Sequence, residues 1–380
     1  MFQFHQPLIP EEDGLCCGAR TPENLLRLGG ALANTANTFL IGYEAEESFP
    51  AAAANILAGA AASAGGSCTL VPDVTLPELS AASLAGDFPL LVHIAGQRLH
   101  IFAKGLLPLT AAQQEIIMQQ KPPAWNPPAL CGKIADGSGL GALFPAKIIE
   151  RLPQPLPLLN EISTGSMPLY RLMNGLLRGG HGPMMTLQFS SDGRRLAVYT
   201  EECGWIFHEK LILMVCQRYL EAGKAVALPY WMPRAAESLA DQCGSTVLRY
   251  ASCSDGSDIA ARELAAKQGF TLDGTLLCAE FLRAYAEGGV SLKTWLSSLP
   301  ACHTVRRIVR LGDEEKHPLE RWQTAWNASQ TTEGLRAEAK NGSALVRPSK
   351  SGRTVTLLTE AATMEAAAEI AGDISAFLGH

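Results

Sequence analysis

Two short segments carry side chains that could bind a charged ligand, and each lies between two predicted strands. The first, residues 346–354, reads VRPSKSGRT and combines three cations, two hydroxyls and a glycine in a short loop. Guanidinium, ammonium and hydroxyl groups, with backbone N–H groups that a glycine can expose, are donors that phosphate binds. The pattern predicts an anion site, and it is equally typical of a solvated, charged hairpin tip. The candidate phosphate-binding residues are Arg347, Ser349, Lys350, Ser351 and Arg353.

The second segment, residues 189–196, reads FSSDGRRL and forms the turn of a predicted hairpin. Asp192 is its one carboxylate, and two arginines follow the glycine after it. Elsewhere the sequence contains no G-x-S-x-G elbow, no H-E-x-x-H motif, no Walker loop and no G-x-G-x-x-G turn. The sequence therefore lacks the motifs of the common hydrolase, metalloprotease, nucleoside-triphosphate and dinucleotide sites, and the two segments are the best candidates for a functional site.

The elements that must position these segments alternate between strand and helix signals. The first third of the chain predicts strands at residues 38–43, 67–71, 88–94 and 99–103. The helices predicted among and after them lie at residues 49–62, 76–84 and 110–119. Strands separated by helices of this length predict βαβ units around a mostly parallel or mixed sheet.

A proline-rich stretch, QKPPAWNPPA at residues 120–129, breaks this alternation and is the clearest boundary in the chain. The signals between residues 130 and 183 are too weak to build a full α/β domain. A hairpin and several helices are predicted next, and the residues after 300 again mix strands with helices. The chain therefore predicts several domains of unequal size.

Composition narrows the class of protein. The 380 residues carry a formal net charge of −6, and 18% of them are charged, which excludes a disordered chain and a global attraction to nucleic acid or anionic lipid. No segment has the ~18 uninterrupted apolar residues of a membrane span, and no signal-peptide pattern opens the sequence. We expect a cytoplasmic protein with no nucleic-acid and no membrane partner. The 10 cysteines are irregularly spaced without a C-x-x-C pair, which predicts reduced thiols and no zinc site.

The order of several segments resembles the α-D-phosphohexomutase family, the phosphoglucomutase/phosphomannomutase enzymes, over nearly the whole chain. Residues 189–198, FSSDGRRLAV, resemble the metal loop F-D-G-D-A-D-R-L-A-V in register. Residues 344–361, ALVRPSKSGRTVTLLTEA, resemble the segment around the phosphate loop R-P-S-G-T-E-P. Further segments that resemble the family, in the same order along the chain, are residues 8–33, 39–79, 93–110 and 272–300.

The resemblance implies an α/β fold with several mixed α/β phosphohexomutase-type domains around a central cleft, and a smaller α+β C-terminal domain. The implied domains are a first domain at residues 1–129, a reduced remnant of the second at 130–185, a third at 186–300 and the C-terminal fourth at 301–380. In this family a phosphoserine passes its phosphoryl group to the sugar. Three aspartates hold the Mg²⁺ that supports the transfer, and the fourth domain holds the substrate phosphate.

The residues that carry this chemistry are mostly missing. The stretch corresponding to the nucleophile loop T-A-S-H-N-P is LVHIAGQ at residues 91–97, which has no hydroxyl, and we interpret its His93 as an ordinary loop residue rather than a phosphohistidine. The three aspartates correspond to Ser190, Asp192 and Arg194. One hard carboxylate remains, and a cation stands where a Mg²⁺ ligand should be. The family's sugar loop, G-E-x-S-G-H, has no counterpart.

The segment that resembles the phosphate loop retains part of the family pattern. Arg347, Pro348 and Ser349 match the family pattern, Ser351 stands where the family has threonine, and Lys350 replaces a glycine. This loop is the one ligand site that the resemblance carries forward. The ligand that it implies is a phosphosugar or another small phosphorylated compound.

We therefore interpret the chain as a catalytically inactive member of the family, a pseudoenzyme. We expect it to have no catalytic residues, no metal site and no cofactor. We expect it to bind a phosphosugar, another anion or a protein partner. The alternative is an active phosphohexomutase-type isomerase, an intramolecular phosphotransferase, or a phosphatase on hexose phosphates, with chemistry rebuilt around an unrecognised nucleophile. A third interpretation is a scaffold in which residues 346–354 bind nothing.

Overall fold

The computed structural model describes residues 15–17, 21–44, 48–119, 125–157, 159–180, 184–311, 318–349 and 353–379. The chain forms two compact units. One comprises residues 1–215 and 252–295, and the other comprises residues 216–251 and 296–380.

The first unit begins with a six-stranded mixed sheet in the order β1-β5-β4-β2-β3-β6. Its strands are β1 (Leu15–Cys17), β2 (Thr38–Tyr43), β3 (Ser67–Pro72), β4 (Leu90–Ala95), β5 (Arg98–Ala103) and β6 (Ile134–Asp136). Strand β2 pairs in parallel with β3 and β4, and β3 pairs in parallel with β6, whereas β5 is antiparallel to both β4 and β1. The helices of this part are α1 (Pro22–Thr35), α2 (Ser48–Ser63), α3 (Leu76–Ala85), α4 (Ala111–Gln119) and α5 (Leu143–Ile149).

Local sequence explains these elements. Helix α1 begins at an N-cap, Thr21, whose side chain accepts the Asn24 N–H, and a proline occupies its first turn. Helix α2 is rich in alanine, the residue with the highest helix propensity, and its alanines are largely buried. In β2 four consecutive residues are buried, as expected of a central strand in a parallel sheet with both faces covered.

The same unit contains a four-stranded sheet in the order β10-β9-β8-β7. Its strands are β7 (Leu159–Ser163), β8 (Met184–Phe189), β9 (Leu196–Thr200) and β10 (Gly204–Ile206). Strands β8 and β9 form an antiparallel hairpin in which Phe189 pairs with Leu196, so their turn is the FSSDGRRL segment. Helices α6 (Met167–Leu177), α9 (Ile259–Gln268) and α10 (Gly274–Gly288) belong to this unit, and α7 (His208–Glu221) and α11 (Leu292–Ser298) run across its boundary.

The second unit combines two sheets. Strands β11 (Val226–Pro229) and β12 (Val247–Tyr250) are parallel and are connected by α8 (Ala235–Cys243). An antiparallel sheet follows in the order β13-β17-β16-β15-β14. Its strands are β13 (His303–Arg310), β14 (Ser329–Thr331), β15 (Gly334–Ala339), β16 (Gly342–Pro348) and β17 (Thr354–Ala361), and its helices are α12 (Pro318–Ala325) and α13 (Met364–Gly379). Trp322 of α12 and Ile374 of α13 are buried with the inward side chains of this sheet in one core.

The predicted fold class is confirmed. The structure has several mixed α/β sheets with helices, and the C-terminal part is an antiparallel sheet with two helices, α12 and α13, in the described residues. Strands from residues 130–185 join neighbouring sheets, since β6 pairs with β3 and β7 pairs with β8. The four domain boundaries stay a prediction.

Two predictions from composition can be compared with the described residues. In that part of the chain, no helix is long and apolar enough to cross a membrane. The eight cysteines whose side chains are described are all free thiols, as predicted. Burial raises the pKa of Cys68 to about 11, so this thiol is protonated and behaves as a small apolar side chain.

Candidate functional site

The turn between β8 and β9 is closed by hydrogen bonds among its own residues. The Ser190 hydroxyl donates to Asp192 Oδ1 at 2.6 Å, and the Arg194 N–H donates to the same oxygen at 3.1 Å. The Arg195 N–H donates to Ser190 Oγ at 2.9 Å. The one carboxylate of the segment therefore already accepts two hydrogen bonds from inside the turn.

A glycine lets this turn pack tightly against the rest of the unit. Gly193 has φ +75°, and a Cβ built on it would lie 2.7 Å from Cγ of Pro77 at the start of α3. Its carbonyl accepts the N–H of Gly274, the first residue of α10, at 3.0 Å. The turn is thus held between the starts of two helices that are distant in sequence.

Both arginines of the turn are buried and have partners outside it. Arg194 is 7% exposed, and its guanidinium carbon lies 4.8 Å from the centre of the Phe102 ring, which is cation–π geometry. Arg195 is also buried and donates from Nη1 to Glu209 Oε1 at 3.0 Å. The side chain at the position of the third aspartate is therefore a buried cation lying on an aromatic ring of β5.

The segment that corresponds to the nucleophile loop is a tight hairpin. Strand β4 ends at Ala95, β5 begins at Arg98, and Gly96 in the turn between them has φ +55°. A positive φ at this position suits a glycine in a two-residue hairpin turn. The two turn residues, Gly96 and Gln97, carry no hydroxyl.

His93 lies in β4, so its interpretation as a loop residue is wrong. Its ring is buried, Nε2–H donates to the Val74 carbonyl at 3.0 Å, and its Cα pairs across the hairpin with that of His100. The pKa of His93 is lowered to about 4, mainly by burial and also by the neighbouring His100, whereas the Val74 carbonyl and Asp192 oppose the shift. The ring is neutral at pH 7. Because Nε2 carries a proton and is buried, this nitrogen has no free lone pair with which to accept a phosphoryl group.

A histidine that the sequence interpretation missed also supports the turn. His208 begins α7, and its Nδ1 accepts the N–H of Leu196 at 3.3 Å. Burial, with Arg195 and Arg194 nearby, holds the pKa of His208 well below its ordinary value. No local sequence signal marks this residue, because its partner, Leu196, lies 12 residues earlier in the chain, at the start of β9.

The residues of the turn do not fit a divalent metal. Mg²⁺ requires several hard oxygen donors in near-octahedral order, and the corresponding positions hold one hydroxyl, one carboxylate and one buried guanidinium. The hydroxyl donates its proton to that carboxylate. Across the residues that the structure describes, no group of three or more histidine, cysteine, aspartate or glutamate side chains is placed to hold a metal ion.

The candidate phosphate loop lies at the ends of β16 and β17 in the second unit. Arg347 is the last but one residue of β16, and its Nη1 donates to Glu333 Oε1 at 2.5 Å. The Glu333 side chain is 2% exposed and that of Arg347 is 18% exposed. Burial lowers the pKa of Arg347 to about 10, so the guanidinium stays charged at neutral pH. A bound phosphate would share this guanidinium with a buried carboxylate.

The remaining residues of the predicted loop are only partly described. The Ser349 N–H donates to the Thr354 carbonyl at 2.8 Å, and the Thr354 N–H donates to Ser349 Oγ at 3.3 Å, which closes the base of the loop. Arg353 is exposed, and its carbonyl accepts the N–H of Leu311. Lys350 and Ser351 lie outside the described residues.

Comparison with known proteins places the fold. No protein-family model matches the sequence. No curated protein matches it either. Among solved structures, a phosphoglucomutase/phosphomannomutase family protein from Burkholderia thailandensis is similar with a TM-score of 0.70 and 16% identity, over 97% of each chain. The exocytosis-sensitive phosphoprotein pp63/parafusin from Paramecium, a phosphoglucomutase, is similar with a TM-score of 0.65 and 10% identity, over 100% of this chain and 97% of its own. At this level of identity the likeness shows the fold, which is the phosphohexomutase fold.

Proposed function

We propose that this chain is a phosphohexomutase-fold pseudoenzyme, which no longer transfers phosphoryl groups and acts by binding a small phosphorylated ligand. The observation that carries the proposal is the β8–β9 turn, in which Asp192 is occupied by hydrogen bonds from Ser190 and Arg194. An oxygen that already accepts two hydrogen bonds from the protein is less available to a metal ion. The hairpin at Gly96 supports the proposal independently, because it offers no oxygen nucleophile.

The first experiment measures catalysis. The full chain is incubated with glucose 1-phosphate, Mg²⁺ and glucose 1,6-bisphosphate, and the formation of glucose 6-phosphate is followed. We expect no turnover above the uncatalysed rate. Turnover at ordinary enzyme rates, about 1–1000 per second, would refute the proposal. Calorimetric titration with Mg²⁺ gives a second readout. Saturable binding that is abolished in Asp192→Asn would contradict the conclusion that the residues of the β8–β9 turn do not fit a divalent metal.

The alternative, an active phosphotransferase or phosphatase with rebuilt chemistry, is tested on the same sample. Incubation with a radiolabelled hexose bisphosphate, followed by peptide mapping, reveals any phosphoryl group attached to the protein. A stoichiometric label on one peptide would favour this alternative. Absence of label together with release of inorganic phosphate would indicate a phosphatase without a covalent intermediate.

The proposed binding of a phosphorylated ligand concerns the loop at Arg347, and a substitution of Glu333 tests it. Glu333→Gln removes the carboxylate that holds the Arg347 guanidinium, so an anion no longer competes with it. We expect the affinity for glucose 6-phosphate to rise by roughly tenfold, the equivalent of one charge-assisted hydrogen bond. Lys340→Gln removes an exposed cation at the opposite end of β16 and serves as the matched control. Equal affinities for wild type, variant and control would exclude this loop as the site.

The ligand, a partner protein and the location remain parts of the proposal. A phosphosugar is favoured because the fold is that of the phosphohexomutases and because the candidate loop retains Arg347 and Ser349. We place this activity in the cytoplasm, as the sequence leads us to expect.

A further inference from the structure

The second unit contains a cavity that the sequence analysis did not single out. Its volume is about 440 Å³, and it lies between the start of α8 and the strands β14 and β15, of which β14 is the edge strand. Three arginines line it together with two aromatic rings and a group of hydroxyl and amide side chains. The residues that carry the argument are Tyr230, Arg234, Arg249, Trp326, Arg336 and Glu338.

One of the three arginines, Arg249, directs its guanidinium donors to acceptors within the protein. Arg249 donates from Nε and Nη2 to the two carboxylate oxygens of Glu237, at 2.8 and 2.6 Å. It also donates to the carbonyls of Pro229 and Met232, at 2.8 and 3.0 Å. This guanidinium and its carboxylate neutralise each other, so the remaining charged side chains of the lining are Arg234, Arg336 and Glu338.

Arg336 has N–H donors that are not used in hydrogen bonds within the described residues. Its side chain lies on the face of β15 opposite the buried Leu335 and Ala337, and Nη2 donates to the Tyr230 carbonyl at 3.3 Å. Its Nε is buried without a hydrogen-bond partner among the described residues, and no salt bridge to a carboxylate is formed there. Burial lowers the pKa of Arg336, the positive charges of Arg249 and Arg234 lower it further, and the carboxylates of Glu237 and Glu360 oppose the shift. A buried donor without a hydrogen-bond partner is costly, and an oxyanion would satisfy it.

Arg234 can join such a ligand at small cost. It forms an ion pair with Glu338 in which the two side chains are 44% and 68% exposed. Exposed pairs of this kind are screened by water and contribute little to stability, so the guanidinium can turn to a ligand. The N-terminus of α8 beside it is already occupied, because Glu360 accepts the N–H groups of Arg234 and Ala235 at 2.7 and 3.0 Å. The arginine side chains, and not the helix end, are therefore the anion-binding groups.

We propose that this cavity binds the phosphate group of a small polyhydroxylated compound, held between the guanidinium groups of Arg336 and Arg234. Two planar guanidinium groups match the geometry of a phosphate, which accepts paired hydrogen bonds. Asn327, Ser329 and Thr331 line the same cavity and offer hydrogen bonds to hydroxyl groups of the ligand, and Trp326 offers an apolar surface to its ring. The site is independent of the β8–β9 turn and of the pairing between Arg347 and Glu333.

The test uses the full chain at low ionic strength and compares glucose 6-phosphate, inorganic phosphate and glucose by calorimetric titration. We expect glucose 6-phosphate to bind more tightly than inorganic phosphate, and glucose not to bind. Arg336→Gln should weaken binding by at least about tenfold, as expected for a lost charge-assisted hydrogen bond. Glu338→Gln should strengthen it, because the competing carboxylate is removed. Arg307→Gln, at an exposed position on β13, is the matched control and should have no effect.

The location of binding is tested by fluorescence. Ligand addition should change the tryptophan emission of the wild type, and Trp326→Phe should abolish that change while leaving the folded state intact by circular dichroism. Undiminished binding by Arg336→Gln would overturn the proposal, as would equal affinity for glucose and its phosphate. The loop at Arg347 is tested separately by Glu333→Gln. If one of the two sites is found not to bind the ligand, the result for the other site can still be interpreted.

Discussion

Replacing Arg347 with alanine tests the pairing that underlies the candidate phosphate loop. The guanidinium lies 2.5 Å from the Glu333 carboxylate, whose side chain is only 2% exposed. Arg347→Ala removes the cation and leaves this carboxylate buried without the Arg347 guanidinium. Breaking a buried ion pair by removing one member costs about 3–5 kcal/mol. Because the Arg347 side chain is 18% exposed and water can enter its place, we expect the lower end, about 3 kcal/mol.

The assay is equilibrium unfolding in urea, followed by tryptophan fluorescence, to which Trp322 and Trp326 contribute among the six tryptophans of the chain. Glu333→Gln keeps a hydrogen-bonding side chain without the charge and should cost less than Arg347→Ala, about 1 kcal/mol. The double variant has no orphaned carboxylate, so Glu333→Gln should restore part of the stability lost in Arg347→Ala. If the double variant is as unstable as the sum of the two single variants, the two side chains are not coupled and the reasoning is refuted.

Two further predictions concern the first unit. Because the pKa of His93 is about 4 in the fold and about 6.5 in the unfolded chain, its contribution to stability is complete above pH 6.5 and is lost as the pH falls to 4, by about 3 kcal/mol in total. In His93→Gln, the free energy of unfolding in urea should therefore fall less between pH 6.5 and pH 4 than in the wild type. His208 still contributes to the fall in both proteins. If the free energy of unfolding depends on pH in the same way in wild type and variant, the prediction is wrong. Gly193→Ala should cost about 1–3 kcal/mol in thermal or urea unfolding, because of its φ of +75° and the contact with Pro77. Gly139→Ala, at φ −86° with open space around its Cβ, is the matched control and should be nearly neutral.

The strands next to the candidate segments were predictable from local sequence. Alternation and short turns placed β4, β5, β8 and β9 within one or two residues of their observed bounds, because a hairpin brings together residues that are close in sequence. Strand β15 was missed. Its sequence, GLRAEA, contains an arginine and a glutamate with helix-favouring alanines, and it becomes a strand through pairing with β16 on one side and β14 on the other.

The candidate site was predictable in its residue types and unpredictable in its contacts. The sequence shows Ser190 and Arg194 at positions where the family that it resembles has aspartates, and it shows that residues 91–97 contain no hydroxyl. The position of Arg194 on Phe102 is not visible, since packing between distant elements brings the two residues together. The same holds for Arg336, whose unpaired donors depend on the placement of Tyr230 and Arg249 in another part of the second unit.

The β8–β9 turn keeps its shape through contacts within the protein. Three carboxylates in one turn repel each other unless a cation holds them, so loss of the ion alone would destabilise the turn. Here Ser190 supplies a hydroxyl that donates to Asp192, and the side chain at position 194 is a cation that packs on Phe102. Compared with a turn of three carboxylates, the hydroxyl at position 190 and the guanidinium at position 194 reduce the negative charge, and each makes a contact within the protein. Such a turn can hold the starts of α3 and α10 in place.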